Sequence, residues 1–223
     1  SSTFAGKVFT VAQSGATTYT IRASASQGGI ITPSGSVTVA QGANQSFTVT
    51  PNPGYQVSYV AIDGVPQEAT SSYTFSNVTK DHTIAAVFSV KTYTINASAG
   101  PGGSISPSGN KSVNHGANQS YVISPNNGFT IADVIVDGVS QGATGSYIFS
   151  NVTSNHTISA VFKVNSFTIT ASAGPGGTIS PSESISVPNG GSQTFTISPD
   201  TSHAISDVLV DGSSVGAVSS YTF

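Results

Sequence analysis

The stretch Tyr93–Gly109, YTINASAGPGGSISPSG, indicates the type of fold because related sequences occur at two other places in the chain. Its first eleven residues recur in related form as YTIRASASQGG from Tyr19 and as FTITASAGPGG from Phe167. The three copies start at positions 19, 93 and 167, which are 74 residues apart in both cases. A strict period of this length predicts three tandem structural units.

Within a unit, apolar and polar residues alternate with a period of two. The segments QSFTVTP (45–51) and HTIAAVFSV (82–90) show this alternation, which is typical of half-buried strands. The sequences GPGG, PNPG and DG separate such segments and are turn signals. We therefore predict an all-β protein of three tandem small antiparallel β domains in a rod. Each domain should hold six to eight strands in a sandwich or β-grasp-like sheet.

The predicted domain boundaries follow the period. Residues 1–18 form an N-terminal donor-strand segment and linker, and three β repeats occupy 19–92, 93–166 and 167–223. Phe223 corresponds to Phe149, and the 17 residues after Phe149 in the second repeat have no counterpart in the third. The third repeat is therefore expected to lack its final strand and to accept one from elsewhere.

The N-terminal segment contains a strand-like sequence without a repeat of its own. KVFTV at 7–11 is similar to AVFSV at 86–90, where the last strand of the first repeat is expected. Strand addition to an open sheet edge is an established mode of recognition. We predict a polymerisation donor strand and an acceptor repeat end. The donor residues are Phe4, Val8, Phe9 and Val11. The acceptor residues are Tyr221 and Phe223.

These features favour a structural subunit of an extracellular filament that assembles head to tail with copies of itself. The register of the donor strand stays open, since a slip of one residue exchanges the two faces. The alternatives are a monomeric stalk or adhesin spacer within a larger surface protein, whose ends reflect cloning or proteolysis, and a carbohydrate-binding accessory module.

Composition argues against several other functions. Only 7% of the residues are charged, and six Lys and Arg against nine Asp and Glu give a net charge of −3. Nucleic-acid binding needs a basic stripe, so none is expected. No apolar run approaches the about 20 residues of a membrane-spanning helix, so no membrane insertion is expected. The expected location is extracellular or at the cell surface.

The sequence offers no catalytic, cofactor-binding or metal-binding residues. Asp63, Asp137 and Asp211 each precede a glycine between apolar segments, which predicts a hairpin turn. Asp133 and Asp137 lie four residues apart, and on a strand this places them about 13 Å apart, too far for a glycosidase pair. The chain has no Cys, and its four His show no ligand spacing. We expect neither an enzyme nor a cofactor.

Seven N-x-S/T sequences are candidate glycosylation sites if the protein is secreted. Surface glycans and other cells are further candidate partners. The seven acceptors are Asn44, Asn77, Asn96, Asn110, Asn118, Asn151 and Asn155.

The phrases YTINASAGPGGSISPSG, NQSYVISPNNGFTIADVIVDGVSQG and SYIFSNVTSNHTISAVF together resemble the divergent internalin-type (InlB-like) B-repeat of secreted bacterial and archaeal proteins. The resemblance covers residues 19–223. It implies an extracellular, non-enzymatic, all-β spacer or interaction module related to β-grasp-like folds. The family prescribes no catalytic residues and implies no polymerisation.

Overall fold

The computed structural model describes residues 15–223, and every regular element in this range is a strand. The four residues named as a donor strand lie outside the described residues. No helix among the described residues combines the length and apolar character needed to cross a membrane. The all-β prediction is confirmed.

Repeat 1 contains eight strands arranged in two sheets. They are β1 (Thr18–Ala25), β2 (Gly29–Thr32), β3 (Gly35–Ala40), β4 (Gln45–Pro51), β5 (Tyr55–Ile62), β6 (Val65–Gln67), β7 (Ser72–Phe75) and β8 (His82–Val90). The larger sheet has the order β3-β1-β8-β5-β6, and the smaller sheet has the order β2-β4-β7. Alternate residues of both sheets, among them Ile21, Phe47 and Ile84, form one buried core cluster.

Repeat 2 has the same arrangement. Its strands are β9 (Thr92–Ala99), β10 (Gly103–Ser106), β11 (Gly109–Asn114), β12 (Gln119–Pro125), β13 (Phe129–Val136), β14 (Val139–Ser140), β15 (Ser146–Phe149) and β16 (His156–Val164). The sheet orders are β11-β9-β16-β13-β14 and β10-β12-β15. Ile95, Tyr121 and Ile158 take the core positions of Ile21, Phe47 and Ile84.

Repeat 3 contains seven strands, four of which are shorter than their counterparts in repeat 2. They are β17 (Ser166–Ala171), β18 (Gly177–Ser180), β19 (Glu183–Pro188), β20 (Thr194–Pro199), β21 (Leu209–Val210), β22 (Ser213–Ser214) and β23 (Ser220–Thr222). The smaller sheet, β18-β20-β23, is like those of the other repeats. Two separate two-stranded sheets, β17-β19 and β21-β22, stand in place of the larger sheet.

One pairing differs from the predicted antiparallel arrangement. The first and last strands of a complete repeat, β1 and β8, are parallel neighbours, and so are β9 and β16. Alternation of apolar residues reports which face a side chain occupies, and it carries no information about strand direction. The other pairs described here are antiparallel, as predicted.

The Asp-Gly sequences form the predicted hairpin turns. Asp63, Asp137 and Asp211 have φ values of 49°, 50° and 47°, and the following glycines have φ values near 80°. Two successive positive φ values define the turn that matches the twist of paired strands, and glycine adopts this conformation without a steric penalty.

By its contacts the chain divides into two compact units. The first contains residues 15–93 with 112–118 and 150–155, and the second contains residues 94–111, 119–149 and 156–223. The first unit thus includes repeat 1 and two segments of repeat 2, and the second includes repeat 3. The predicted domain boundaries at 18, 92 and 166 stay predictions.

Candidate functional site

The last strand of a complete repeat lies at the centre of the larger sheet. β8 pairs in parallel with β1 on one side and antiparallel with β5 on the other. β16 occupies the same place between β9 and β13. A central strand satisfies the backbone groups of two neighbours, so a sheet without it has two unpaired inner edges.

No described strand fills this central position in repeat 3. β17 pairs with β19 alone, and β21 pairs with β22 alone. Residues 203–208, which correspond to the first six residues of β13, form no strand. Among the described residues, no strand joins β17-β19 to β21-β22, so the larger sheet is divided in two.

A cavity of about 510 Å³ lies between β17 and the segment 204–210, which is where a complete repeat has its central strand. Its walls come from β17, the turn 172–176, β18, β20, the segment 204–210, Tyr221 and Phe223. The large apolar side chains in its walls include Ile169, Ile179, Phe195, Ile197, Val208 and Phe223. We call this cavity the strand slot.

Burial at equivalent positions shows how far the core of repeat 3 is open. Phe75 and Phe149 are 5% and 6% exposed, whereas Phe223 is 43% exposed. Ile95 is fully buried in repeat 2, and its equivalent Ile169 is half-buried. The same residue types have lost their covering layer in repeat 3, so the slot presents apolar surface to solvent.

The structure places both predicted acceptor residues at the strand slot. Tyr221 pairs with Phe195 across β23 and β20, and the Phe223 ring centroid lies 5.0 Å from that of Tyr221 and 6.0 Å from that of Phe195. These edge-to-face contacts repeat those of Phe149 with its neighbours in repeat 2. Their role in binding a strand stays a prediction.

A hydrogen-bonded clip, absent from the sequence-based expectations, fixes the start of the central strand in the complete repeats. In repeat 1, the Thr83 backbone N–H donates to Asp63 Oδ1 over 2.9 Å, and His82 Nδ1 lies 2.8 Å from Asp63 Oδ2. The backbone hydrogen bond from Thr83, followed by the contact with His82, lowers the pKa of Asp63 although burial opposes the change.

The clip recurs in repeat 2. His156 Nδ1 lies 2.7 Å from Asp137 Oδ2, and the Thr157 N–H donates to Asp137 Oδ1 over 2.7 Å. Burial raises the pKa of Asp137, but the hydrogen bonds from Thr157 and His156 outweigh it and the net pKa is lowered. The signal in the sequence was the shared 19-residue spacing between the turn Asp and the His. In repeat 3 no described residue takes the position of this His opposite Asp211.

The candidate glycosylation sites are exposed, and several take part in side-chain contacts. Asn44 Oδ1 accepts a hydrogen bond from the Asn77 N–H over 2.8 Å, and Asn118 accepts one from Asn151 over the same distance. Asn96 Nδ2 donates to an oxygen of its neighbour across the sheet over 2.6 Å. All seven side chains, including Asn110 and Asn155, are exposed in the described structure.

The histidines do not form a metal site in the described structure. His115 lies against Gly54 with its Nδ1 3.3 Å from the Tyr93 hydroxyl, and His203 lies against Gly176. No group of three or more His, Asp or Glu among residues 15–223 is arranged to hold a metal ion.

Comparison of the sequence with models of protein families finds the same 74-residue repeat. The family model described as the divergent InlB B-repeat domain matches residues 19–92 and 93–166, which together are more than half of the chain. The chain belongs to the divergent InlB B-repeat family. The two matched segments are those predicted for the first two repeats. Members of this family are structural repeat modules, typical of surface or extracellular proteins.

Comparisons with curated proteins and with solved structures identify no relative that supports an argument about fold or function. No curated protein matches the chain. The solved structure titled "Crystal structure of I9-I11 tandem from titin" is 8% identical, with coverage of 82% of this chain and 94% of that one. Its TM-score of 0.14 is too low to carry an argument.

Proposed function

We propose that this B-repeat chain is a structural subunit of an extracellular filament that assembles head to tail. In this assembly the N-terminal strand of one copy, within residues 4–11, completes repeat 3 of the next copy. The observation that supports this proposal is the strand slot, which lies between β17 and residues 204–210, where a complete repeat has its central strand, and which has both apolar and polar residues in its walls.

The two open edges of the strand slot favour the insertion of a strand. An inserted strand would pair in parallel with β17 and antiparallel with residues 203–210, as β16 does with its neighbours in repeat 2. It would also cover Phe223 and Ile169. Burying apolar surface stabilises by about 25 cal/mol per Å². The inserted strand would also supply hydrogen-bond partners for the backbone N–H and C=O groups along the two edges of the slot.

A second copy of the same chain is the occupant we propose. Its N-terminal segment carries alternating apolar residues that belong to none of the three repeats. A donor at one place and an acceptor at another form a heterologous contact, and such contacts produce open-ended filaments unless the rotation closes a ring.

The test measures the mass of the full-length chain against its concentration by sedimentation velocity, with negative-stain microscopy of the same samples. We expect filaments or rings whose mass rises with concentration. In a matched pair of variants, one has Ser at Phe4, Val8, Phe9 and Val11. The control has Ser at four exposed apolar residues outside the slot, namely Ile30, Val65, Val122 and Val139.

The donor variant should remain monomeric, and the control should assemble like the unmodified chain. A full-length chain that stays monomeric at all concentrations would overturn the proposal and support a monomeric spacer module. Assembly that survives in the donor variant would equally reject the N-terminal strand as the occupant.

A further inference from the structure

The occupied copies of the slot show which side chains it accepts. In β8 the residues facing the core are Ile84, Ala86 and Phe88, which are 0%, 1% and 8% exposed. In β16 the same places hold Ile158, Ala160 and Phe162. The accepted pattern is therefore a large apolar residue, a small residue and a second large apolar residue at alternate positions.

The middle position is fully buried in both complete repeats, since Ala86 and Ala160 are each 1% exposed. The Ser26 N–H donates to the Ala86 carbonyl over 2.9 Å, and the Gly100 N–H donates in the same way to the Ala160 carbonyl, so the strand backbone is held in place here. A larger side chain at a fully packed position costs about 1–3 kcal/mol, and an unpaired charge costs more. This position therefore selects among possible registers of an incoming strand.

The third position of the pattern lies next to a glycine of the neighbouring sheet, and in repeat 3 no aromatic ring of the described residues contacts this glycine. A Cβ at Gly29 or Gly103 would collide with the ring of Phe88 or Phe162. At the equivalent Gly177, the nearest atoms are backbone atoms of the neighbouring strand, and no ring is among them. A large apolar side chain therefore has room in this part of the slot.

Resting on the proposed function, we propose that the donor strand enters with Phe4, Gly6 and Val8 facing the core of repeat 3 and with Lys7 facing outward. Among the alternate-residue triplets within residues 1–14, Phe4-Gly6-Val8 is the one with a small residue between two large apolar residues. It places Phe4 at the position of Ile158, Gly6 at that of Ala160 and Val8 at that of Phe162.

The similarity of KVFTV to AVFSV would give a different register. Aligning Phe9 with Phe88 places Lys7 at the position of Ala86, which is 1% exposed. Burying an unpaired ammonium group there is unfavourable. The register suggested by sequence similarity would therefore bury Lys7. The burial pattern of the complete repeats favours the register that places Gly6 at this position.

Charge supports the register with Gly6 inward. In repeat 2, Asp133 lies opposite Val161 across the antiparallel pair, so Asp207 would lie opposite Lys7. Val161 is an exposed position, where an ammonium group stays hydrated. Asp207 Oδ1 accepts hydrogen bonds from Ser214 Oγ and the Gly216 N–H, which hold its carboxylate near the sheet. Opposite charges directly across two strands are favourable.

The first experiment compares two full-length variants by sedimentation. Gly6→Val should weaken assembly about 5- to 150-fold, since overpacking costs about 1–3 kcal/mol. Lys7→Ala should change it less than about 5-fold, since an exposed ion pair contributes at most about 1 kcal/mol. The opposite result, with Gly6→Val neutral and Lys7→Ala tightening assembly, would overturn this register and leave the proposed function standing.

The second experiment uses introduced cysteines, because the chain has none. Ile135 pairs with Ser159 in repeat 2, so Leu209, which is exposed, would lie opposite Ala5 in the proposed register. The double variant Ala5→Cys with Leu209→Cys should form disulfide-linked multimers. If the double variant Gly6→Cys with Leu209→Cys forms these multimers and the first does not, the register that aligns Phe9 with Phe88 is established.

Two remaining outcomes separate the register from the function. If both cysteine pairs assemble into filaments and neither forms a disulfide, the register is wrong and the strand slot is not where the donor strand binds. An unmodified chain that does not assemble would reject the proposed function itself.

Discussion

Ile95 and Ile169 provide a direct test of the open core, because the same residue type occupies equivalent positions in a complete and an incomplete repeat. Ile95 is fully buried, and Ile169 is half-buried beside the strand slot. Replacing each with Ala removes the same atoms. Any difference in cost must therefore come from the surroundings.

The expected magnitudes follow from burial and from the cavity. Ile95→Ala should destabilise repeat 2 by about 2–5 kcal/mol, which combines lost apolar burial with a new cavity. Ile169→Ala should cost about 1 kcal/mol, because the side chain is only partly buried and borders a cavity that already exists.

The measurement is native-state hydrogen exchange with mass spectrometry, which reports opening of each repeat separately. The background is the donor variant with Ser at positions 4, 8, 9 and 11, so that the slot stays open. A 3 kcal/mol loss appears as a roughly 150-fold larger opening equilibrium constant and correspondingly faster exchange, and 1 kcal/mol as about 5-fold. In the assembled, unmodified chain the cost at Ile169 should rise towards that at Ile95.

Equal costs for the two substitutions in the donor variant would contradict an open core in repeat 3, because they would mean that this core is as closed as that of repeat 2. Costs that stay unequal in assembled filaments would show that the incoming strand does not cover Ile169.

Two further predictions concern the complete repeats. Asp63→Asn should lower the stability of repeat 1 by less than about 1 kcal/mol near neutral pH, because the clip is partly exposed. The folded-state pKa of Asp63 is lowered, so its contribution is present above the unfolded pKa of about 3.9 and is lost as pH falls through the folded value. Urea midpoints of the two proteins should therefore converge in acid, and a difference that persists there would contradict the assignment. Tyr121→Phe should stabilise repeat 2 by about 1 kcal/mol, because the buried Tyr121 hydroxyl has no hydrogen-bond partner in the described structure and burial raises its pKa. A lower urea midpoint for this variant would mean that the hydroxyl does have a partner.

The sequence predicted those features that depend on local chemistry. The repeat, the alternating strands and the Asp-Gly turns each follow from residues close together in the chain, and the structure confirms them. That the third repeat is incomplete, which the comparison of Phe223 with Phe149 suggests, stays a prediction.

The sequence could not show where the last strand lies in the sheet. The pairing of Ile21 with His82 joins residues 61 positions apart, and alternation specifies neither the partner nor the direction of a strand. The clip between Asp63 and His82 depends on the same long-range pairing. Only the fold reveals that a strand expected at the end of each repeat is the one at its centre.

The parallel pairing of first and last strands has a mechanical consequence. Tension along the chain enters repeat 1 at the start of β1 and leaves at the end of β8, so it pulls two adjacent parallel strands in opposite directions. The five paired positions from Ile21–His82 to Ala25–Ala86 then carry the load together in shear. Such a geometry resists force better than one in which pairs open singly, and resistance to force is governed by the unfolding rate. In the proposed filament, β17 of one copy and the donor strand of the next would have the same geometry. The joint between copies would then bear load in the same way as the interior of each repeat.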